Sequence, residues 1–505
     1  MPHVFAVTTR VRAREGRATV VLYGALAIAS ITFWFAVGFP WQHHNESLTW
    51  AADLQDLSFW GSLLPKPIRH VATYRPIGIA IAWSSFRLSG GGVWLQQLIN
   101  YGFTAFAWVL ALRAVRDRLS FAWLSFLCGG AFFSGYIYLF HLHGVFYGPL
   151  LVYVAWLLIE DERAHLLSWP TVMRWVGITV LVGLVHTFAF LLLAAFVIGI
   201  AIQRLLAREP ANLVAAAFAV VSAGAAIILL TRDSQQTEAV HLWEGFVFSY
   251  RSLELNRAMG ALGVLFAIIA ASSVGSGWAM YVGAAAVLCL LLGALHLPML
   301  LGWLMVCGLK ALWMRRFALA ALLAACASLP IATGTGSPTY ALFALMPAIY
   351  ITVLGFEVSE SVERLQRGLA VVALIAIPIA AVILMNASPA GRLSAIGRPL
   401  FAEREKTEQL MQMLSWLQSN PDVRGVLRLC QPADVPVKGG ALQRQHRAPT
   451  DAFSLRHYLQ ERYGDRFQEG PGELMLCFGG ESLPDATPLH TVPGPWAGQA
   501  TLESF

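Results

Sequence analysis

Acidic and basic side chains gather in one polar stretch directly after the first apolar run of the chain. This stretch, GFPWQHHNESLTWAADLQDL at residues 38 to 57, supplies the carboxylates of Glu46, Asp53 and Asp56. The sequence that follows it supplies cations at Lys66, Arg69, His70 and Arg75. A carboxylate can take a proton from an acceptor hydroxyl, and a nearby cation can stabilise a phosphate leaving group. The residue types therefore indicate group transfer from a phosphate-linked donor, with a solvated loop of ordinary charges as the alternative.

Further ionisable residues fall at other breaks between apolar runs. His141 and His143 lie in FHLHG, His186 lies in GLVHTF, and the polar stretch from 231 to 257 includes Arg251. Ionisable residues within or close to membrane-spanning segments usually have a function, because they are costly to place there. A single His near a helix end, however, often serves as a cap or an interfacial group. The sequence does not identify a cofactor with certainty. A divalent cation is the alternative, but two His residues two positions apart do not share a helix face.

Composition places these residues in a polytopic membrane protein. Of 505 residues, 57% are hydrophobic and 13% are charged, and the mean hydropathy is +0.61. These values lie outside the range of ordinary soluble domains. The net charge of +6 does not indicate nucleic acid, because the Arg residues stand between apolar runs, where they set topology. The chain has no P-loop and no G-x-S-x-G motif, so nucleotide hydrolysis and α/β-hydrolase chemistry lack support.

Apolar runs predict about thirteen membrane-spanning helices between residues 19 and 386. The basic residues 1 to 18 indicate a cytoplasmic N-terminus, with a cleaved signal peptide as the alternative. A long external loop at 40 to 75 and a short interfacial helix at 76 to 90 follow the first span. The later spans are predicted at 93–112, 119–139, 145–159, 174–186, 187–204, 211–230, 258–273, 278–296, 297–313, 317–333, 340–356 and 368–386.

The odd number of spans places residues 387 to 505 outside, where their composition predicts a small α/β domain. EREKTEQLMQMLSWLQSN has helical spacing, whereas GVLRLC and GELMLCF resemble strands. Cys430 and Cys477 end or nearly end these two strands, so a disulfide between neighbouring strands is geometrically reasonable. The remaining cysteines lie in apolar segments and are expected to pack as small hydrophobic residues; they are Cys128, Cys289, Cys307 and Cys326.

The order of these features resembles the GT-C superfamily of integral-membrane glycosyltransferases. Tyr74, Arg75 and Pro76 match the motif that closes the first loop in many members, and WLQQLINYGFTAFAWVLALRAVRDRL matches the next span, with Asn100 and a basic end. GLVHTFAFLLLAAFVIGIAIQRLL is similar to the family's short pair of spans. SLPIATGTGSPTYALFALMPAIY is similar to its late segment, which here contains Tyr340. The likeness covers most of residues 15 to 390, and the protein mannosyltransferases, aminoarabinose transferases and serotype-converting glucosyltransferases are of this type.

The resemblance implies substrates, a location and a mechanism. Such enzymes move a sugar from a polyprenyl-phosphate carrier to a glycan, lipid or protein acceptor at the extracytoplasmic face of a membrane. The abundance of Ala, Leu, Arg and Gly indicates a bacterium, so a bacterial inner membrane is expected. An acidic residue of the first loop would be the base, with Glu46 preferred and Asp53 and Asp56 in reserve. Residues near the donor phosphate or substrate would be Arg75, Tyr74, Arg69, His70, His141, His143, His186, Arg251 and Tyr340. Many relatives carry a tight acidic pair where this chain has Asn45 and Glu46.

Two other functions compete with a transferase. A membrane polysaccharide polymerase or ligase commonly depends on Arg and His in a late external loop, and residues 231 to 257 fit that pattern. A transporter or flippase usually places ionisable residues near the bilayer midplane and shows internal repeats. The apolar runs here are almost free of charge in their middles and show no convincing repeat.

Overall fold

A computed structural model describes residues 21–22, 24–33, 47–64, 75–90, 94–113, 147–163, 168–209, 222, 297–333, 338–354, 360–386, 394–430, 452–468, 472–479 and 486–504. These residues form mostly α-helices, with one four-stranded sheet near the C-terminus. The helices before residue 387 are α1 (Gly24–Phe33), α2 (Ser47–Asp56), α3 (Phe59–Ser62), α4 (Pro76–Leu88), α5 (Trp94–Arg113), α6 (Tyr147–Arg163), α7 (Trp169–Gly183), α8 (Phe188–Leu206), α9 (Leu297–Trp313), α10 (Phe317–Thr333), α11 (Pro338–Val353) and α12 (Glu360–Met385).

Helices occur at each predicted span that the structure describes. Among the described residues, two segments are long and apolar enough to cross a membrane by length and composition: α8, and residues Gly368–Met385 of α12. Shorter apolar helical segments lie in α1, α5, α9, α10 and α11. The predicted spans at 119–139, 211–230, 258–273 and 278–296 lie outside the described residues, residue 222 apart. The total of thirteen crossings therefore stays a prediction.

Close helix contacts depend on small residues. A Cβ atom added at Gly199 of α8 would lie 2.4 Å from the Cα atom of Ala318, so the backbones of α8 and α10 meet at this position. Gly148 serves the same purpose between α5 and α6, since its added Cβ would lie 2.7 Å from the Cβ atom of Phe103. Small residues allow helix backbones to approach each other this closely.

Helices α1 and α5 to α12 share the main apolar core, and we call them the helix group. Charged side chains are paired at one end of it. Glu160, near the end of α6, accepts hydrogen bonds from Arg174 at 2.6 Å and from the indole of Trp175 at 2.8 Å. The adjacent Asp161 pairs with Arg316 at 2.5 Å. Both carboxylates are buried, so these pairings compensate charges that would otherwise be unstable away from water. We call this the charged end of the helix group.

The C-terminal part is a small α/β unit, as the sequence predicts. It consists of α13 (Ser394–Ser419), β1 (Val426–Leu429), α14 (Ala452–Tyr463), a 3₁₀ turn (Gly464–Phe467), β2 (Glu473–Phe478), β3 (Thr487–Val492) and β4 (Ala500–Ser504). The sheet order is β1-β2-β4-β3, with β1 and β2 parallel and the other pairs antiparallel. Its apolar core joins one face of α13 to the sheet through residues such as Leu410, Met413, Leu474 and Leu502.

A disulfide links the two neighbouring strands that the sequence pairs. Cys430 follows β1 directly and Cys477 lies in β2, with their Cα atoms 4.9 Å apart. The amide of Cys430 also donates to the carbonyl of Leu476 at 3.0 Å, which continues the ladder between β1 and β2.

The C-terminal unit contacts both the first loop and the helix group. Helix α14 packs against α2, the helix of the first loop. The rings of Phe401 and Trp496 lie 5.1 Å apart, and both belong to or pack against the core of the helix group. Glu405 fixes the turn around Trp496 by accepting hydrogen bonds from the amides of Trp496 at 2.7 Å and Ala497 at 2.5 Å. The first loop and the C-terminal unit therefore lie on the same side of the helix group.

Candidate functional site

The candidate site lies where α2, α4 and the turn between α7 and α8 meet. Leu54 of α2 packs against Ile79 and Ala82 of α4, and Val185 of the turn joins the same apolar cluster. The amide of Ile77 donates to the carbonyl of Leu184 at 3.2 Å, so the start of α4 is bonded directly to the turn. These contacts bring the carboxylate-bearing first loop to His186, which is 130 residues further along the chain than the end of α2.

Helix α4 also holds the segment that follows α2. The indole of Trp83 donates to the carbonyl of Leu57 at 2.6 Å, and the guanidinium of Arg87 donates to the carbonyl of Gln55 at 2.7 Å. Two side chains of α4 thus satisfy carbonyl groups at the end of α2, where the helix has no further amides to bond them. The position of α2, and of the acidic residues on it, is fixed by α4.

Arg75 stands immediately before α4, with Pro76 in the first turn of the helix. Proline is favoured there because the first turn needs no amide donor and its φ angle suits the helix. The helix dipole adds partial positive charge at this end, next to the guanidinium of Arg75. The combination favours a bound anion, and a phosphate group has the required charge and oxygen acceptors.

His186 is fully buried in the turn between α7 and α8. Its Nδ1 atom accepts a hydrogen bond from the amide of Phe188 at 3.3 Å, so in the neutral ring the proton is on Nε2. Within the part of the chain that the structure describes, this Nε2 has no hydrogen-bond partner. Burial lowers the pKa of His186 well below its ordinary value, and the charge of Arg75 lowers the pKa further. The ring is therefore neutral at physiological pH and offers one donor.

Aromatic residues enclose the His186 ring. Its centroid lies 5.2 Å from that of Tyr147, at the start of α6, and 4.7 Å from that of Phe188. Tyr147 in turn lies 6.2 Å from Phe343 of α11. Asn100 of α5, also buried, has its side-chain oxygen 3.2 Å from the Cβ position of Gly148, next to Tyr147. The turn is thus surrounded by the starts of several helices, at the end of α6 opposite the charged end and roughly 20 Å from it.

The two described carboxylates of α2, three residues apart, differ in their exposure. One side-chain oxygen of Asp53 is buried, and Asp53 also has an interaction partner in the protein. Asp56 is exposed and lines a cavity between α2 and the C-terminal unit. Glu46, the preferred base, directly precedes the described part of α2 and lies outside the described residues.

Other predicted site residues cannot be placed in this arrangement. Tyr340 lies in α11, but its side chain is outside the described set. The remaining ones fall outside the described residues altogether; they are Arg69, His70, Tyr74, His141, His143 and Arg251. Within the described ranges, no group of three or more His, Cys, Asp or Glu side chains is arranged to hold a metal ion.

Sequence reasoning did not assign Tyr147 or Trp83 to the site. An aromatic residue at the edge of an apolar run is typical of a membrane interface, so the sequence carries no signal that separates Tyr147 from an ordinary anchor. Trp83 lies in a helix that was predicted, but its bond to the carbonyl of Leu57 depends on how the loop folds back.

Comparison of the chain with protein-family models, curated proteins and solved structures finds no match.

Proposed function

We propose that the protein is a membrane glycosyltransferase. In this proposal it moves a sugar from a polyprenyl-phosphate carrier to an acceptor at the extracytoplasmic face of the membrane. It crosses the membrane about thirteen times, as its apolar runs suggest. The contact that joins α2, α4 and the His186 turn carries the proposal. It joins α2, which carries Asp53 and Asp56, to the start of α4 at Arg75 and to the turn that holds the neutral, buried His186.

Each described group has a role in such a reaction. A first-loop carboxylate takes the proton from the acceptor hydroxyl as the hydroxyl oxygen attacks the anomeric carbon of the sugar. The bond from that carbon to the phosphate oxygen breaks, and its electron pair leaves with the polyprenyl phosphate. Arg75 and the start of α4 stabilise the developing negative charge on the phosphate. His186 donates its Nε2 proton in a hydrogen bond to an oxygen of the substrate without titrating, because its ring is neutral.

The location of the site suits a lipid-linked donor. The apolar tail of such a donor requires a groove between membrane helices, whereas its phosphate and sugar lie near the interface. The His186 turn directly precedes α8, one of the two described segments that are long and apolar enough to span a membrane. The first loop and the C-terminal unit on the same side provide cover that excludes water and so limits hydrolysis of the donor.

The proposal is tested by incubating the purified protein with a panel of short-chain polyprenyl-phosphate sugars, together with glycan, lipid or protein acceptors, and measuring release of the polyprenyl phosphate. We expect turnover with at least one sugar and a loss of about a hundredfold or more when the base is replaced. Glu46→Gln, Asp53→Asn and Asp56→Asn are compared, with Glu473→Gln, exposed at the start of β2 in the C-terminal unit, as control. The proposal is contradicted if all three carboxylate variants release polyprenyl phosphate at the wild-type rate. It is also contradicted if the wild type releases none from any donor.

A further inference from the structure

A polar cavity lies between α2 and the C-terminal unit, beside the contact of α2 with α14. Its volume is about 420 Å³, within the range of small-molecule sites. Residues from α2, from the end of α13, and from α14 with its 3₁₀ turn line it: Ala52, Gln55, Asp56, Gln418, Tyr458, Arg462, Tyr463 and Arg466.

The cavity and the His186 turn lie on opposite faces of α2. Successive residues of an α-helix are rotated by about 100°, so Ala52, Gln55 and Asp56 share one face and Leu54 lies on the other. The first face lines the cavity, and Leu54 packs against α4 and Val185. A ligand in the cavity and a donor beside Arg75 would therefore be neighbours separated by a single helix.

One wall of the cavity is rigid. The guanidinium of Arg466 donates to the carbonyls of Val423 at 2.8 Å and Leu417 at 3.0 Å, and also to that of Asn420. It lies 5.7 Å from the ring centre of Tyr463, whose hydroxyl donates to the carbonyl of Leu414 at 3.2 Å. These bonds hold the end of α13 and the end of α14 together and fix the Tyr463 ring in the wall.

Other polar groups of the cavity remain available to a ligand. The side chains of Asp56, Gln418 and Arg462 are exposed and make no hydrogen bond or ion pair with any other residue that the structure describes. The Asp56 carboxylate can accept from ligand hydroxyl groups, the Gln418 amide can donate and accept, and the Arg462 guanidinium can donate to two adjacent hydroxyl or carboxylate oxygens. The rings of Tyr458 and Tyr463 supply apolar surface beside them. The two Arg residues outnumber the single Asp, so the cavity has an excess of positive charge.

We propose that this cavity binds the carbohydrate end of the acceptor, an acidic saccharide, and presents its hydroxyl toward the first loop. This inference rests on the proposed transferase function. Hydroxyl-rich rings match the bonding groups and Tyr surfaces, and a uronate or phosphate on the saccharide matches Arg462. The lipid-linked donor is less suited to the cavity, because its tail requires the bilayer, whereas the cavity faces the C-terminal unit. The bound acceptor extends past the end of α2, where Asp56 lies, so that its hydroxyl reaches a donor beside Arg75 on the other face.

Direct binding tests the inference without requiring turnover. Purified full-length protein in detergent is applied to immobilised oligosaccharides in matched acidic and neutral pairs. We expect selective binding to acidic members and a loss of about tenfold or more in Arg462→Ala, since a charged hydrogen bond is removed. Gln418→Ala should weaken binding less, because a neutral group is lost. Arg456→Ala is the control, since Arg456 is exposed on α14 but does not line the cavity. Equal binding of acidic and neutral members, no binding at all, or full binding by Arg462→Ala overturns the inference.

Kinetics separate this inference from the proposed function. Slow release of polyprenyl phosphate with water as acceptor reports the donor site alone, and Arg462→Ala should leave it unchanged. In transfer to a saccharide acceptor, the same variant should raise the acceptor KM about tenfold or more. If Arg462→Ala still releases polyprenyl phosphate and its acceptor KM is unchanged, the cavity does not bind the acceptor, but the proposed transferase function stands. Saccharide binding with no release from any donor contradicts the transferase instead.

Discussion

His186 is a buried polar residue whose position packing alone does not explain. A buried donor without a partner costs about 1–3 kcal/mol, and Nε2 of His186 has no partner among the described residues. An aliphatic side chain would fill the same space between Tyr147 and Phe188 without this cost. A donor retained at a position where it weakens the fold indicates a use in binding.

Replacement of His186 should separate stability from activity. We expect His186→Leu to keep or raise the melting temperature in detergent and to lower polyprenyl-phosphate release about tenfold or more, because one substrate hydrogen bond is lost. His186→Gln retains a donor and should recover part of the activity. A drop in melting temperature together with wild-type turnover in His186→Leu would assign the residue to packing alone.

The same residue makes the fold sensitive to acid. The pKa of His186 is lowered in the folded protein, so below the ordinary value of about 6.5 the unfolded chain binds a proton that the folded chain does not. Stability is therefore lost as pH falls below about 6.5, by at most about 1.4 kcal/mol per pH unit from this group. Melting temperatures measured between pH 7.5 and pH 5, with the wild type beside His186→Leu, test this. The variant should lose less stability across the interval, and parallel curves would refute the assignment.

The sequence predicts some helix ends from local signals, whereas the predicted start of the last span, residue 368, lies eight residues after the start of α12 at Glu360. The predicted spans 297–313 and 317–333 agree with α9 and α10, because the break between them consists of Met314, Arg315 and Arg316. Arg315 adopts a left-handed conformation with φ 57°, which ends α9 and starts the turn. Arg208, with φ 59°, ends the α8 segment in the same way. Charged residues at the end of an apolar run and the local backbone both indicate where the helix stops, so no long-range contact is needed.

Helix α2 and strand β3 show what local sequence does not determine. Helix α2 is short, and its burial depends on α4 on one side and α14 on the other, both distant in sequence. Strand β3 contains Pro488, beside a shift in its register with β4, and occupies the sheet edge where proline is tolerated. The face of α2 that lines the cavity, and the aromatic enclosure of His186, likewise arise only once these elements pack.

Packing of α8 against α10 can be tested at Gly199. A side chain at this position would lie 2.4 Å from Ala318 Cα and 2.5 Å from the carbonyl oxygen of Phe317, both backbone atoms that cannot move aside alone. We expect Gly199→Val to destabilise the protein by about 1–3 kcal/mol or more, measured as a lower melting temperature in detergent. Gly177→Val in α7 is the matched control, since an added Cβ there meets nothing within 4 Å. Equal melting temperatures for the two variants would show that α8 and α10 do not meet as closely as described.

At the scale of the whole molecule, the two ends of the helix group differ in chemistry. The charged end pairs Glu160 and Asp161 with Arg side chains, and the buried ammonium group of Lys310 donates to the carbonyl of Thr352 at 3.1 Å. The opposite end carries a neutral buried His among aromatic rings, and α2 of the first loop packs against its turn. Basic residues concentrate on the cytoplasmic side of membrane proteins, so the charged end is expected to face the cytoplasm.

The orientation predicts which positions an impermeant thiol reagent reaches. Ser419→Cys, exposed at the end of α13, should react from outside intact cells, whereas Ala207→Cys, exposed after α8, should react only after permeabilisation. The background replaces Cys128, Cys289, Cys307 and Cys326 with Ala and keeps the bridge between Cys430 and Cys477, so no other thiol reacts.

The contact between α2 and α14 requires the first loop and the C-terminal unit to share a compartment, whatever the number of spans between them. Reaction of Ser419→Cys only after permeabilisation would place both in the cytoplasm, where a donor sugar presented at the outer face cannot reach Arg75. That result would reject the proposed orientation and the extracytoplasmic reaction together.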